Sequence, residues 1–337
     1  MPGPDDHGYG LIRCLADGNC HSALELALEL GIREEEVLGA LATLTEAGLR
    51  LKQTQADGFQ LTQPLELLQA RRIEEGLTQE SRRLIQTVDV LKQVDSTNAW
   101  LQGQAKCDPG HGRACLAELQ TAGRGRRGRK WLAPPGGSLC LSVSWHFPAN
   151  LSDMSGLSLV CGVAVVRALE GLGVENLGLK WPNDLTWDGR KLGGLLVEMR
   201  SSGSGAVYVV VGLGLNLNLG AYAEEIVGGW GGEPVDLASI LPGGMPGRNM
   251  LAAALLNALA NVLEEFSRLG FSALRPEWER LDCLRGRTVN VHGEDWTLRG
   301  TALGVDAAGA LRLVVDGKVI DCVAGEVSVR LENATAD

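Results

Sequence analysis

The sequence predicts an α/β (α+β) multidomain protein, and three observations carry that expectation. The first part of the chain holds helix-period segments followed by a strand pair. From Val88 onward, strand-like runs (140–145, 195–199, 207–211) alternate with helical ones (157–172, 250–269). The last stretch, 284–332, contains short β-rich segments broken by Gly293, Gly300, Gly309 and Gly317. The boundaries fall at 1–66, 67–87, 88–283 and 284–337, giving a head, a connector, a large α/β domain and a small β-barrel.

In the head, Ser22 and Glu25 read as a capping box that opens a helix through Leu30, and Gly31 supplies the turn after it. Val37, Leu38, Leu41 and Leu44 mark a second helix, which Gly48 is placed to end. Two strand-like runs, 49–54 and 59–62, flank an Asp57-Gly58 turn and predict a hairpin. Helix, tight turn, helix, hairpin is the order of a winged helix-turn-helix. Residues 64–81 predict a charged, helical connector.

The 337 residues carry a net charge of −10, with 45% hydrophobic and 21% charged residues, a profile of globular chains. A negative surface excludes broad, sequence-blind nucleic-acid binding, so any DNA contact must come from a local patch. None of the eight cysteines forms a C-x-x-C pair, which predicts free thiols in a reducing compartment and no zinc site. No uninterrupted apolar run approaches the ~18 residues of a membrane span, and the N-terminus has no apolar signal core. The expectation is a cytoplasmic protein without a membrane partner.

Gly123-Arg124-Gly125-Arg126-Arg127-Gly128-Arg129-Lys130-Trp131 places five cations within seven residues. Most basic runs are solvated surface. This one lies inside the α/β domain, and its glycines suit close backbone approach to a small anion. Its like charges predict a loop that is mobile when empty and ordered by an anionic ligand. Upstream, Asp95-Ser96-Thr97-Asn98 precedes a helical stretch; it reads as an N-cap, or as hydroxyls and an amide facing a polar, uncharged group. Lys180-Trp181-Pro182-Asn183-Asp184-Leu185 reads as a strand end turning at proline. Lys191, in Gly189-Arg190-Lys191-Leu192-Gly193-Gly194, stands at the mouth of an apolar run, where its ammonium can hold a phosphate or carboxylate. In 209–218, alternation puts Gly212, Gly214, Asn216 and Asn218 on one bare, polar strand face suited to a ligand.

These motifs, in this order, resemble those of the biotin–protein ligases, specifically the bifunctional bacterial type that also represses the biotin operon. The resemblance runs from the head to the β-rich tail. It implies a central mixed sheet related to class II aminoacyl-tRNA synthetases and an SH3-like C-terminal barrel. It implies a biotin pocket lined by Ser96, Thr97, Asn98, Gln120, Gly123, Arg124, Gly125, Arg126 and Lys191. Arg127, Arg129, Trp131, Asn183, Asp184 and Asn216 correspond to positions near the nucleotide and its metal, and Trp230 to the aromatic residue that stacks on adenine. Lys191, Arg126 and Asp184 would carry the chemistry, with two roles open for Asp184: a Mg²⁺ ligand, or orienting the incoming amine.

The implied reaction joins biotin to ATP as biotinyl-5'-AMP and then passes biotin to a lysine of the carrier protein of a biotin-dependent carboxylase. As a repressor the chain would use the adenylate as corepressor, pass between monomer and homodimer, and bind biotin-operon DNA. Glu34, Glu35 and Glu36 oppose that last role, because the N-terminal end of a reading helix enters the major groove. The rival readings are a lipoate–protein ligase and a ligand-sensing transcription factor without catalysis.

Overall fold

A computed structural model of the protein describes residues 6–54, 58–104, 112–148, 154–201, 206–220, 222, 233–241, 243–293, 295–323 and 328–331. The head contains α1 (Asp6–Leu15), β1 (His21–Ser22), α2 (Ala23–Leu30), α3 (Glu34–Glu46), β2 (Leu51–Gln53) and β3 (Gly58–Leu61). Its core joins Leu11, Leu15, Leu26, Val37, Leu41 and Leu44. The capping box forms as expected: Ser22 N donates to Glu25 Oε2 at 2.7 Å and Glu25 N to Ser22 Oγ at 3.2 Å. Gly31 caps α2 in the left-handed region. The expected hairpin is β2–β3, and β1 adds a third strand to give the order β1-β3-β2. Asp57 of the expected turn lies outside the described residues. Helix α1 was not anticipated, because Gly8 and Gly10 weaken the helix signal that Leu11, Ile12 and Leu15 carry.

The connector is not one helix. Residues 64–69 are irregular, α4 (Ala70–Glu75) is short, and α5 (Gln79–Leu84) starts afresh at Thr78, whose Oγ1 accepts from Ser81 N at 3.1 Å. The reason is tertiary. Asn249 Nδ2 donates to Glu66 Oε1 and Leu67 O at 2.9 Å each, and Asn249 Oδ1 accepts from Gln69 N at 2.7 Å. Arg248 Nη1 reaches Glu66 O at 2.9 Å and the buried carboxylate of Glu118 at 2.7 Å. Backbone groups that would close a helical turn are bonded to another element instead.

The central sheet has seven strands: β4 (Thr87–Val94), β5 (Arg113–Gln120), β6 (Ser138–Phe147), β7 (Leu177–Lys180), β8 (Asp184–Trp187), β9 (Arg190–Ser201) and β10 (Val207–Asn216). Their order is β4-β5-β6-β10-β9-β8-β7; among the described strand pairs of this sheet only β4–β5 is parallel, so the sheet is mixed. Around it lie α6 (Thr97–Gln104), α7 (Leu157–Glu170), the short α8 (Leu237–Ile240), α9 (Arg248–Leu269) and α10 (Phe271–Leu281). Period two divides the sheet's faces. Leu139, Leu141, Val143 and Trp145 of β6, with Val207, Val209, Val211 and Leu213 of β10, share one core with α7 and α9. Their alternates turn the other way, and Gly212 pairs with Ser142 and Gly214 with Cys140. Helix α9 has the length and hydropathy of a membrane span, but Leu251, Leu255, Leu259, Val262 and Leu263 are buried in the protein core.

The C-terminal strands β11 (Thr288–His292), β12 (Thr297–Val305), β13 (Leu311–Val315), β14 (Lys318–Cys322) and β15 (Ser328–Leu331) form an antiparallel sheet in the order β14-β13-β12-β11-β15. Glu332, the expected end of the β-rich segment, lies outside the described residues. Trp181 Nε1 donates to Gly309 O at 3.0 Å, tying this sheet to the central one. Cys14, Cys20, Cys115, Cys140, Cys161, Cys283 and Cys322 are free thiols, and Cys107 lies outside the described residues. Burial pushes the thiols of Cys140 and Cys161 up to about 12.

Candidate active site

A cavity opens on the sheet face that α7 and α9 leave uncovered. Its walls include Ser96, Thr97, Asn98, Gln120, Arg124, Gly125, Arg126, Arg127, Arg129, Trp131, Asn183, Asp184 and Lys191, all expected from the sequence. Lys130, Cys140, Lys180, Ser142's neighbours on β10 and, from the C-terminal sheet, Val329 and Arg330 complete the surroundings. Eight cationic side chains face one carboxylate, Asp184, among the described lining residues. A chain of net charge −10 thus carries a local excess of positive charge at this cavity.

The arginine loop is a small hairpin. Trp131 N donates to Gly123 O at 2.9 Å and Gly125 N to Arg129 O at 2.7 Å, with a bridge between Arg124 and Lys130. A 3-10 turn over Arg126–Gly128 forms its tip. Arg126 Nη1 donates to Asn183 Oδ1 at 3.3 Å, and burial pushes this guanidinium down from its ordinary value while Asp184 pulls it back up. Gly123 does not line the cavity. A Cβ there would strike Trp131 O, so this glycine allows the hairpin to close.

Lys191 reaches the cavity through a bulge. Leu185 pairs with Gly193 and Thr186 with Lys191, so Leu192 is the extra residue on β9, and the register shift turns Lys191 inward. Its Nζ lies 2.7 Å from Asp184 Oδ1 and 5.9 Å from the centre of the Trp131 ring. Lys180, at the end of β7, is pushed below its ordinary value by burial, with Asp184 opposing the shift. Asp184 therefore sits between cations, and Lys191 is its direct partner.

The bare strand face is not left open for ligand alone. A Cβ on Gly212 would collide with Asn98 Oδ1, and one on Gly214 with the indole of Trp131. These glycines let Asn98 and Trp131 pack directly against the sheet at the cavity floor. Ser142 Oγ lies 2.6 Å from Asn98 Oδ1 and 2.7 Å from Thr97 Oγ1, and Gln120 Oε1 accepts from Thr97 N at 3.0 Å. Ser96 does cap α6, its Oγ accepting from Ala99 N at 3.4 Å.

Besides Gly123, two expected residues, Asn216 and Asn218, stand outside the cavity wall. Asn216 is fully buried and does not line the cavity; its Nδ2 donates to Lys191 O at 3.3 Å and Val235 O at 3.0 Å. Asn218 lies beyond the end of β10 and donates to Gln63 Oε1 at 2.8 Å, because the alternation stops with the strand. Trp230 lies outside the described residues. Sequence reasoning missed Ser142 and Glu198; a carboxylate inside the apolar run of β9 was the available signal for the second.

Residues 90–216 match the biotin/lipoate A/B protein ligase family and residues 285–330 the biotin protein ligase C terminal domain. The bifunctional ligase/repressor BirA of Salmonella typhimurium is 36% identical over 322 residues, 95% of this chain and 96% of that protein. The chain belongs to the biotin protein ligase family. The Escherichia coli K12 protein of the same name is 36% identical over 325 residues, again 95% of this chain and 96% of the relative. The biotin protein ligase from Aquifex aeolicus in complex with biotin and ATP superposes with a TM-score of 0.61 at 28% identity, covering 74% of this chain and all of that one. The model matched over 90–216 covers biotin and lipoate ligases together, whereas the one matched over 285–330 is described for biotin protein ligases.

Proposed function

We propose that the cavity binds biotin and ATP together, forms biotinyl-5'-AMP, and presents it to a lysine of a biotin carboxyl carrier protein. The observation that carries this reading is the concentration of cations around one floor of neutral polar groups. Both reactants are anions, and without positive charge their repulsion would raise the barrier. A carboxylate oxygen of biotin attacks the α-phosphorus of ATP, forming the mixed anhydride while pyrophosphate leaves. Lys191, Arg126 and Arg124 hold the carboxylate and the phosphoryl oxygens as charge develops on them. Asp184 aims the Lys191 ammonium through their ion pair. Asn183, holding Arg126, positions the second cation.

The floor of Ser96, Thr97, Asn98 and Gln120, with Gly125 of the loop, is assigned to biotin. Arg127, Arg129, Trp131 and Asn183 are assigned to the nucleotide. The arginine hairpin covers the adenylate and excludes water, which would hydrolyse the anhydride. The carrier's neutral amine then attacks the acyl carbon and AMP leaves. The nucleophile comes from the carrier, so no cysteine or serine of this chain is needed. One carboxylate suits a magnesium ion held mainly by substrate phosphates rather than by a protein cage. Asp184 would be its protein ligand, and the ion would neutralise the departing pyrophosphate.

The head is assigned to a winged helix-turn-helix and the tail to an SH3-like barrel. The ligase/repressor names of relatives that match 95% of the chain favour a second role in operator binding. Helix α3 has no Arg, Lys, Asn or Gln, the side chains that read base edges best. The hydroxyls of Thr43 and Thr45 are bonded to Gly39 O and Leu41 O. Arg33 pairs with Glu36 at 3.2 Å, and Arg50 donates to Asn218 O, leaving Lys52 exposed on β2. DNA binding is therefore expected to rest on phosphate contacts, with weak base discrimination.

The test is transfer of labelled biotin or labelled lipoate to a biotin carboxyl carrier domain in the presence of ATP and Mg²⁺. Transfer of biotin alone is the expected result. Transfer of lipoate at a comparable rate, or of neither, contradicts the reading.

A further inference from the structure

Glu198 lies on β9 just beyond the cavity, with about three-quarters of its side chain buried. Its Oε2 accepts from two residues that belong to different parts of the site. Asn98 Nδ2 donates to it at 2.8 Å from the floor, and Arg124 Nη2 at 3.2 Å from the arginine hairpin. Asn98 is 3% exposed, and its amide is committed to protein on both sides. Its nitrogen also reaches Leu196 O at 3.2 Å, and its oxygen lies against Ser142 Oγ. From Ser142 the contacts continue through Thr97 to Gln120, at the root of the hairpin. A chain of polar side chains thus runs from Gln120 under the floor to Glu198 and returns to the hairpin at Arg124.

We propose that Glu198 is a positioning residue, a latch that registers the arginine hairpin against the biotin floor. This rests on the assignment of the floor to biotin. Glu198 does not line the main cavity, so it acts through Asn98 and Arg124. Only a carboxylate serves both partners fully, since it accepts the buried amide hydrogen and carries the charge that Arg124 meets. Without it, Asn98 keeps a buried hydrogen with no acceptor and turns, and the hairpin loses its attachment on the biotin side. The nucleotide side keeps its own attachment, Arg126 to Asn183. Loss of the latch therefore weakens biotin binding and retention of the acyl-adenylate much more than ATP binding.

The experiment compares wild-type protein, Glu198→Ala, Glu198→Gln, Arg124→Ala and the Glu198→Gln/Arg124→Ala double variant in steady-state kinetics, with thermal melts as a folding control. Free biotinyl-AMP released to solution is measured alongside. Glu198→Ala is expected to raise KM for biotin about tenfold while KM for ATP stays within about twofold. Glutamine still accepts from Asn98 but lacks the charge, so Glu198→Gln should raise biotin KM about threefold and release more adenylate. Its effect should vanish in the Arg124→Ala background. The proposal is overturned by a biotin KM within about twofold of wild type in Glu198→Ala, by equal rises in both KM values, or by independent effects of Glu198→Gln and Arg124→Ala. If Glu198→Ala melts early, the nearly isosteric Glu198→Gln and the double variant decide alone. Wild-type protein that forms no adenylate would instead overturn the ligase assignment.

Discussion

The catalytic cavity and helix α3 of the head belong to one acidic chain but differ sharply in what their side chains offer a polyanion. Among the described residues the cavity presents eight cations and a single carboxylate, and that carboxylate is paired with Lys191. Helix α3 presents Glu34, Glu35 and Glu36 in its first turn, and its N-cap arginine is neutralised by Glu36. Both regions keep the backbone form that their neighbours in the chain require. The head has its capping box, its tight turn at Gly31 and its paired strands, while α3 carries no Arg, Lys, Asn or Gln. Backbone architecture and ligand recognition are separable, and recognition has to be argued from side chains.

The largest expected effect lies on the cavity side of this contrast. Arg126→Ala should keep the fold and weaken biotin and adenylate binding by about two orders of magnitude, the scale of losing one charge-stabilising donor. Isothermal titration giving wild-type affinity for both ligands would break the contrast. On the head side, Glu34→Lys/Glu35→Lys should raise affinity for nonspecific duplex DNA about tenfold at low salt and leave ligation unchanged. A fluorescence-anisotropy titration showing no gain would mean that α3 does not face DNA at all.

The arginine hairpin offers a smaller, sharper probe. Its like charges should keep it accessible to trypsin in free protein, and biotin with ATP should slow cleavage at its arginines about tenfold. Equal digestion rates with and without ligands would contradict the closing of the hairpin over the adenylate. The smallest effect concerns stability. Burial holds the Asp282 carboxyl up at about 6, above the range it has in an unfolded chain. The native state therefore retains a proton there that the unfolded chain has already released, and stability falls as pH rises from about 4 to 6. Asp282→Asn should flatten that part of the Tm–pH profile and raise Tm at pH 8. A profile parallel to wild type would remove Asp282 from the account.

The floor and loop were largely legible in the sequence, because charge and glycine spacing are local signals. The run of Gly123 to Trp131 and the motif around Lys191 identify cavity residues without knowledge of the fold. What could not be read was set by tertiary contact. The bulge at Leu192 depends on strand pairing, and the connector's broken helix depends on Asn249 and Arg248, far along the chain. Asn216 shares a strand face with Gly212 and Gly214, but at the end of β10 it is buried, and its Nδ2 bonds the backbone carbonyls of Lys191 and Val235, a contact that only the folded chain makes. Glu198 reads as an isolated acid until α6 and the hairpin are brought to it.

The most direct test is to incubate the purified protein with biotin, ATP and Mg²⁺, without a carrier, and detect biotinyl-5'-AMP by mass spectrometry beside Lys191→Ala. The account predicts a stoichiometric acyl-adenylate bound to wild-type protein and little or none on the variant. Wild-type protein that never accumulates it, or a lysine variant that makes it equally well, would contradict the claim that these cations bring the two anions together.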